Sequence, residues 1–386
     1  MNDLLIRNIG GIVSGDIEAP IAGGDTVVVR DSTIAYVGDA PGADGSGIDA
    51  VIDAAGATVT PGFCDNHTHP VIGDFTPRQL QVDFIDSYLH GGTTTMISAG
   101  EPHTPGRPTD PVGVKALAIL AHRSFANARP SGVKVHAGAV LLEPGLTESD
   151  FREMADAGVD LVGEIGISGV KDAEVAAEMT RWAQACGMRV MVHTGGASIP
   201  GSGIVGADFV VRVRPEVAGH VNGGPTALPL DQVERILDET TARVEIVHNG
   251  NVKAAGDVAA LLSRRSELGR LVIGTDSPAG SGVQPLGMLR AVSWVASLGG
   301  VDAAAAVAAA TGNVAALHGL NVGVVAVGRE ADLLVMDAPL GSQATDALGA
   351  LAIGDTPAVA SAVIDGAVRF TKSRNTPPPV RPVAFG

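Results

Sequence analysis

The chain is short of cysteine, short of basic residues and free of long apolar runs, and each shortage excludes something. Two cysteines, Cys64 and Cys186, in 386 residues cannot build a disulfide framework, which suits a reducing cytoplasm. Lys and Arg number 26 against 42 Asp and Glu, so the net charge is −16. That balance excludes a basic face for nucleic acid or anionic membrane, and otherwise serves solubility. The apolar stretch Ala303–Ala316 is interrupted by Thr311, Gly312 and Asn313; it reads as one packed Ala-rich helix, too short and too polar to span a bilayer. The first residues, Met1-Asn-Asp-Leu-Leu-Ile-Arg, carry an acid and no extended apolar core, so no signal peptide is expected.

What is present points to a large globular chain. Apolar residues are 45% and charged residues 18%, enough to bury a sizeable core in one large domain plus a smaller one. Residues 1–60 hold short alternating runs such as Asp25-Thr-Val-Val-Val-Arg and Thr33-Ile-Ala-Tyr-Val-Gly, split by Gly, Asp and Pro, the pattern of a β-rich unit. From 61 to 321, short Val/Ile/Gly-rich strands alternate with helical stretches such as Pro77–His90, Pro111–Ala126, Thr147–Ala157 and Asp172–Cys186. Strand ends fall near His69, Gly100, Leu142, Gly166, His193, Val221, His248 and Asp276. Eight βα units predict a closed parallel (β/α)8 barrel of the TIM type. From 322 to 386 short β-runs return, and the simplest closure pairs both chain ends in one β-sandwich. The tail Thr376-Pro-Pro-Pro-Val-Arg-Pro is expected to lie extended over a surface, a neighbouring subunit's among the options.

The chemistry starts at Pro61-Gly-Phe-Cys-Asp-Asn-His-Thr-His-Pro70. Residues two apart on a strand share a face, so His67 and His69 point to one place and form half a metal site. With ten histidines in the chain, one such pair arises easily by chance. Later strands add to it: Glu164 on strand 4, His193 on strand 5, His220 on strand 6 and Asp276 on strand 8. In such barrels the reacting groups sit at the C-terminal ends of the strands. Any one of these side chains could be a satisfied core polar group. Six together are hard to explain as packing, and four imidazoles with two carboxylates suffice for two divalent ions.

Pro61-Gly-Phe-Cys-Asp-Asn-His-Thr-His, the later histidines, Asp276 and the closing Gly328-Arg-Glu-Ala-Asp-Leu-Leu-Val-Met-Asp resemble the amidohydrolase superfamily. Ile97-Ser-Ala-Gly, Ala128-Arg-Pro-Ser-Gly-Val-Lys-Val-His, His193-Thr-Gly-Gly-Ala-Ser-Ile-Pro-Gly-Ser and Asn222-Gly-Gly-Pro-Thr-Ala resemble, more narrowly, its enamidases, the cyclic-amide hydrolases of bacterial nicotinate fermentation. The resemblance implies that His67, His69 and Asp276 hold one metal, zinc, and that Glu164, His193 and His220 hold a second, iron or another zinc, with Glu164 bridging. It further implies a hydroxide shared by the metals as nucleophile and Asp276 as the proton shuttle. The substrate it implies is 6-oxo-1,4,5,6-tetrahydronicotinate, opened to 2-formylglutarate and ammonia, and the assembly it implies is a tetramer.

Arg78, His103, Arg107, His248 and Asn222 are candidates for substrate contact; each of the charged ones also reads as ordinary surface or rim polarity. Gly195, Gly196, Gly223 and Gly224 either let backbone approach a ligand or only make tight turns. Cys64 reads as core packing. Other hydrolytic activities remain open on the same site (a deaminase, a dihydropyrimidinase-like enzyme, a dipeptidase), as does a non-catalytic binding protein on this scaffold.

Overall fold

Period-two burial marks the strands. In Thr26–Arg30, Val27 and Val29 are fully buried while Arg30 is exposed, the pattern of a strand with one wet face. The computed structural model describes residues 3–40, 45, 47–197, 202–223, 226–279 and 282–386. Strands from both chain ends form two sheets. One orders Ala384–Phe385, Ala50–Asp53, Leu4–Arg7, Thr26–Arg30 and Thr33–Gly38; the other orders Ala367–Phe370, Ala358–Ile364, Leu333–Asp337, Thr58–Pro61, Gly11–Val13 and Ile21–Ala22. Leu4, Ile6, Val27 and Ile52 of the first meet Ile12, Val59, Leu333 and Val363 of the second in one core.

The barrel strands are β1 (Phe63–Thr68), β2 (Thr93–Ser98), β3 (Lys134–His136), β4 (Leu161–Ile165), β5 (Arg189–His193), β6 (Val217–Gly219), β7 (Arg243–Val247) and β8 (Leu271–Gly274). They pair in parallel as two arcs, β1 to β3 and β4 to β8. The bridges Val140–Val162 and Thr68–Ser277 join the arcs into a closed barrel. Helices cover the outside, among them α1 (Phe84–Leu89), α2 (Pro111–Asn127), α3 (Glu148–Asp156), α4 (Ala173–Ala185) and α5 (Ala207–Val213), then α6 (Leu230–Glu239), α7 (Val252–Arg264) and α8 (Gly287–Ser297). Parity along the strands decides what points inward. Val190 and Val192 pack outward against the helices and Met191 inward, so His193 falls on the inner parity of β5. Val244 and Ile246 likewise face outward, leaving Glu245 inside.

Four local expectations change. Pro77–His90 is not one helix: Phe75–Thr76 and Gln81–Val82 form a hairpin, and α1 starts only at Phe84. Leu80 and Asp83 have left-handed backbones, and the Asp74 carboxylate accepts from the N–H of Ile85 at 2.6 Å, which fixes the later start. Strand 3 ends its regular pairing at His136 rather than near Leu142. Gly138 has φ +94°, and a Cβ there would lie 2.5 Å from the Ala118 carbonyl oxygen of α2, so the chain kinks where only glycine fits. The Ala-rich stretch is two helices, α9 (Ala303–Ala309) and α10 (Gly312–His318). The break lets Gly312 press against the Gly15 backbone, where a Cβ would meet its oxygen at 2.0 Å. The Pro-rich tail lies on its own chain: the Val380 N–H donates to Ala338 O, the Arg381 N–H donates to Asp337, and Ala384–Phe385 adds a strand to the first sheet. It therefore gives no reason to invoke a neighbouring subunit.

Candidate metal centre

All six side chains picked out by their strand-end positions come together. His67 is the penultimate residue of β1 and His69 follows the strand; Glu164 lies in β4; His193 ends β5; His220 follows β6; Asp276 lies just past β8. The histidine and glutamate side chains are 0–2% exposed, and Asp276 is 11% exposed. Oε1 of Glu164 is 2.9 Å from Nδ1 of His193, 2.7 Å from Nε2 of His220 and 3.6 Å from Nε2 of His67. Its Oε2 is 3.8 Å from Nε2 of His69. On the other side, Asp276 Oδ1 is 3.1 Å from Nε2 of His69 and 3.7 Å from Nε2 of His67. Glu164 thus stands between two sets, His67–Glu164–His220 and His67–His69–Asp276, whose ligand atoms lie within 4.8 Å of one another in each set. His220 and Asp276 have φ of +30° and +55°. Non-glycine residues hold such conformations at a cost of about 1–3 kcal/mol each, typically where function requires it.

The donor chemistry tests whether a cation belongs here. Nδ1 of His69 faces the Gly100 carbonyl at 2.7 Å and Nδ1 of His67 faces the Glu245 carboxylate at 2.8 Å. Both partners only accept, so both Nδ1 atoms carry the proton. In the neutral rings each Nε2 then presents a lone pair to carboxylate oxygens that are also acceptors. Nε2 of His67 and Nδ1 of His220 are buried without a hydrogen-bond partner. Acceptors converging on acceptors fit a divalent cation between them. The electrostatics agree. Burial works against charge on Glu164, but the imidazoles of His67 and His193 outweigh it and hold the carboxyl well below its usual range. Burial lowers His67, yet the charges of Glu245 and Glu164 raise it well above the ordinary histidine value; the site draws positive charge, whether a proton on this ring or a cation that displaces it.

Outside this cluster the candidates separate. His103 sits with its ring centroid 5.2 Å from that of His69, and its Nδ1 accepts from Arg78 Nη1 at 3.0 Å. Burial and then His69 push the His103 imidazole down to about 4. Arg107 turns away, pairing with Glu143 at 2.8 Å and Ser168 at 3.2 Å. Asn222 uses both amide atoms on the Val247 backbone, each at 2.9 Å. His248 stacks on Trp294 of α8 with centroids 5.0 Å apart. Gly195 and Gly223 have positive φ and a Cβ on either would meet the Thr226 carbonyl, and a Cβ on Gly196 would meet the Thr226 side chain, so all three make tight turns here; Gly224 lies outside the described residues. Cys64 is buried inside the barrel, its thiol pushed up to about 12.

Two carboxylates went unread in the sequence. Asp65 is fully buried and accepts from the N–H and hydroxyl of Thr275 at 2.8 and 2.6 Å, tying β1 to β8; burial raises it to about 7. Glu245 is fully buried in Arg243-Val-Glu-Ile-Val. A lone acid in an apolar strand marks Glu164 and Glu245 alike.

Comparison with known proteins decides the family. The amidohydrolase family matches residues 58–369. The chain belongs to the amidohydrolase family. It is a hydrolase acting on carbon–nitrogen bonds. It is 53% identical to the enamidase of Eubacterium barkeri over 99% of both chains. A crystal structure of enamidase superposes with a TM-score of 0.96, covering 100% of each chain. An adenine deaminase of Rhizobium meliloti is 30% identical over 86% of this amidohydrolase, but the match spans only 54% of that enzyme. A beta-aspartyl dipeptidase from Fervidobacterium islandicum, at 16% identity and a TM-score of 0.66, shares the fold.

Proposed function

We propose that this amidohydrolase opens a cyclic amide, 6-oxo-1,4,5,6-tetrahydronicotinate, at its ring C–N bond, using divalent metals held by the six clustered side chains. The observation that carries the reading is end-to-end similarity to enamidase joined to a centre that has the donor set such chemistry needs. His67, His69 and Asp276 would hold one ion, and Glu164, His193 and His220 would hold a second. Four imidazoles and two carboxylates suit zinc, or zinc with iron. When bound, such ions polarise a carbonyl and lower the pKa of water from about 15.7 to about 7.

The protein's own residues do the rest. Asp276 is the more exposed member of the cluster and its Oδ1 is oriented by His69. It accepts the proton of the attacking water and passes it to the ring nitrogen as the C–N bond breaks. Ring opening consumes one water and gives an enamine acid. Tautomerisation to the imine and a second water then release ammonia and 2-formylglutarate. Arg78, which donates to the His103 that lies against His69, would receive the substrate carboxylate.

Two unpaired cysteines suit the cytoplasm, and among the described residues no helix is long and apolar enough to cross a membrane. We propose a homotetramer on the enamidase resemblance, and sedimentation velocity at micromolar concentration tests it. The function is tested by incubating the purified protein with 6-oxotetrahydronicotinate and a panel of lactams, purines and dipeptides while following ammonia and amide loss. Turnover confined to purines or dipeptides would replace the cyclic-amide reading.

A further inference from the structure

A line of buried polar side chains leads away from the metal cluster toward the opposite end of the barrel. Glu245 Oε2 lies 2.8 Å from Nδ1 of His67 and accepts from the His220 N–H at 2.9 Å. Its Oε1 accepts from the Asn66 amide at 2.5 Å. The other amide atom, Asn66 Oδ1, is 2.8 Å from Nε2 of His318, the last residue of α10. Helix α10 sits by the strand starts: Asn313 donates to the Leu271 carbonyl at the start of β8 at 2.8 Å, and Arg189 at the start of β5 donates to Leu317 O at 2.9 Å. The line therefore runs along the barrel interior from the strand starts to the cluster at the strand ends.

Each bond in it has a forced direction. A carboxylate only accepts, so Asn66 presents its NH2 to Glu245 and its oxygen to His318. His318 must then carry its proton on Nε2, and His67 must carry its proton on Nδ1. Burying an amide and a carboxylate inside the barrel, where Asn66 and Glu245 are both 0% exposed, costs more than filling the space with apolar atoms. Such a chain earns its place by fixing orientation.

We infer that Glu245, Asn66 and His318 act as one set of positioning residues that fixes the tautomer and ring angle of His67, and so tunes how tightly the centre holds metal. The inference rests on the metal centre proposed above. Glu245 locks the His67 ring with Nε2 toward Glu164 and Asp276. Asn66 locks the carboxylate of Glu245. His318 prevents the Asn66 amide from turning over. None of the three touches substrate.

The test titrates the metal-loaded protein with dipicolinate and measures the metal released, alongside the visible spectrum of the cobalt-reconstituted protein. Glu245→Gln is nearly isosteric, removes the charge that faces Nδ1 of His67, and sets an NH2 against either the His220 N–H or the Asn66 NH2, so the line is broken at one of the two. It should weaken retention of one ion by about 10–100-fold. His318→Leu should act in the same direction at the lower end, about tenfold. His318→Gln restores an N–H toward Asn66 and should recover retention and the parent cobalt spectrum. Glu245→Gln holding metal within about twofold of the parent with an unchanged cobalt spectrum would overturn the inference, a criterion that stands even if His318→Leu does not fold. His318→Gln as loose as His318→Leu would also overturn it. A parent protein that binds no ion in the same titration would instead contradict the metal centre itself.

Discussion

Nε2 of His69 stands 3.1 Å from Oδ1 of Asp276 although 207 positions separate them in the chain. The barrel makes this contact, because β1 and β8 close on one another through Thr68–Ser277. As ligand and proton carrier, Asp276 needs a carboxylate. Asp276→Asn keeps the volume and removes the proton acceptor, so kcat should fall by about 10²–10⁴-fold. Asp276→Ala should be equal or worse. Near-parent turnover by Asp276→Asn, with metal measured on the same sample, would remove Asp276 from the reaction.

Glu164 touches both halves of the cluster, so its loss should be felt by both of the ions proposed above. Glu164→Ala leaves His67, His69 and Asp276 as one set and takes the shared carboxylate from both His193 and His220. Metal per chain should drop by at least half, with activity near background. Elemental analysis of folded Glu164→Ala showing full metal would contradict the bridging role.

Arg78 and Arg107 were equal candidates in sequence and differ in structure. Arg107 is committed to Glu143, whereas the contact of Arg78 is to His103. Arg78→Met should raise KM for a carboxylate-bearing lactam by about 10–100-fold, the worth of a charge-assisted hydrogen bond of about 1.5–3 kcal/mol. For a neutral lactam KM should stay nearly constant. Equal effects on both substrates would reject a carboxylate contact.

Three half-buried histidines set an acid limit. Burial pushes His103 and His248 down to about 4 and His318 to about 3. Unfolded, each titrates near about 6.5. A depressed histidine leaves stability untouched above that value, where both states are neutral. As pH falls toward about 4 the unfolded chain gains protons the folded one refuses, so stability declines. His248→Phe keeps an aromatic ring on Trp294 and removes one titrating group. Its urea stability should fall less steeply between about pH 6 and 4.5, by up to one proton's slope. An unchanged slope would mean His248 titrates normally in the folded protein.

The barrel and its cluster were legible because both leave one-dimensional traces. Strand ends carry their polar residues next to apolar runs, so His67, His193 and Asp276 could be placed by position alone. Glu245 carried the same trace and was passed over, because it sits mid-strand, two residues before the strand end. The start of α1 was hidden since it depends on Asp74, ten residues upstream, folding back to cap it. The end of β3 depends on how closely α2 approaches Gly138. The tail looked unattached because its partners, among them Ala338 and Asp337, lie about forty residues away and pair through backbone and charge rather than through a hydrophobic pattern.

The most direct measurement is ammonia release from 6-oxo-1,4,5,6-tetrahydronicotinate by the metal-loaded protein, the chelator-stripped protein and the stripped protein with zinc or ferrous iron restored. The account predicts turnover with stoichiometric 2-formylglutarate in the loaded sample, loss on stripping and return on restoration. Undiminished turnover after complete removal of metal would contradict it, as would a fully loaded protein that leaves every cyclic amide intact.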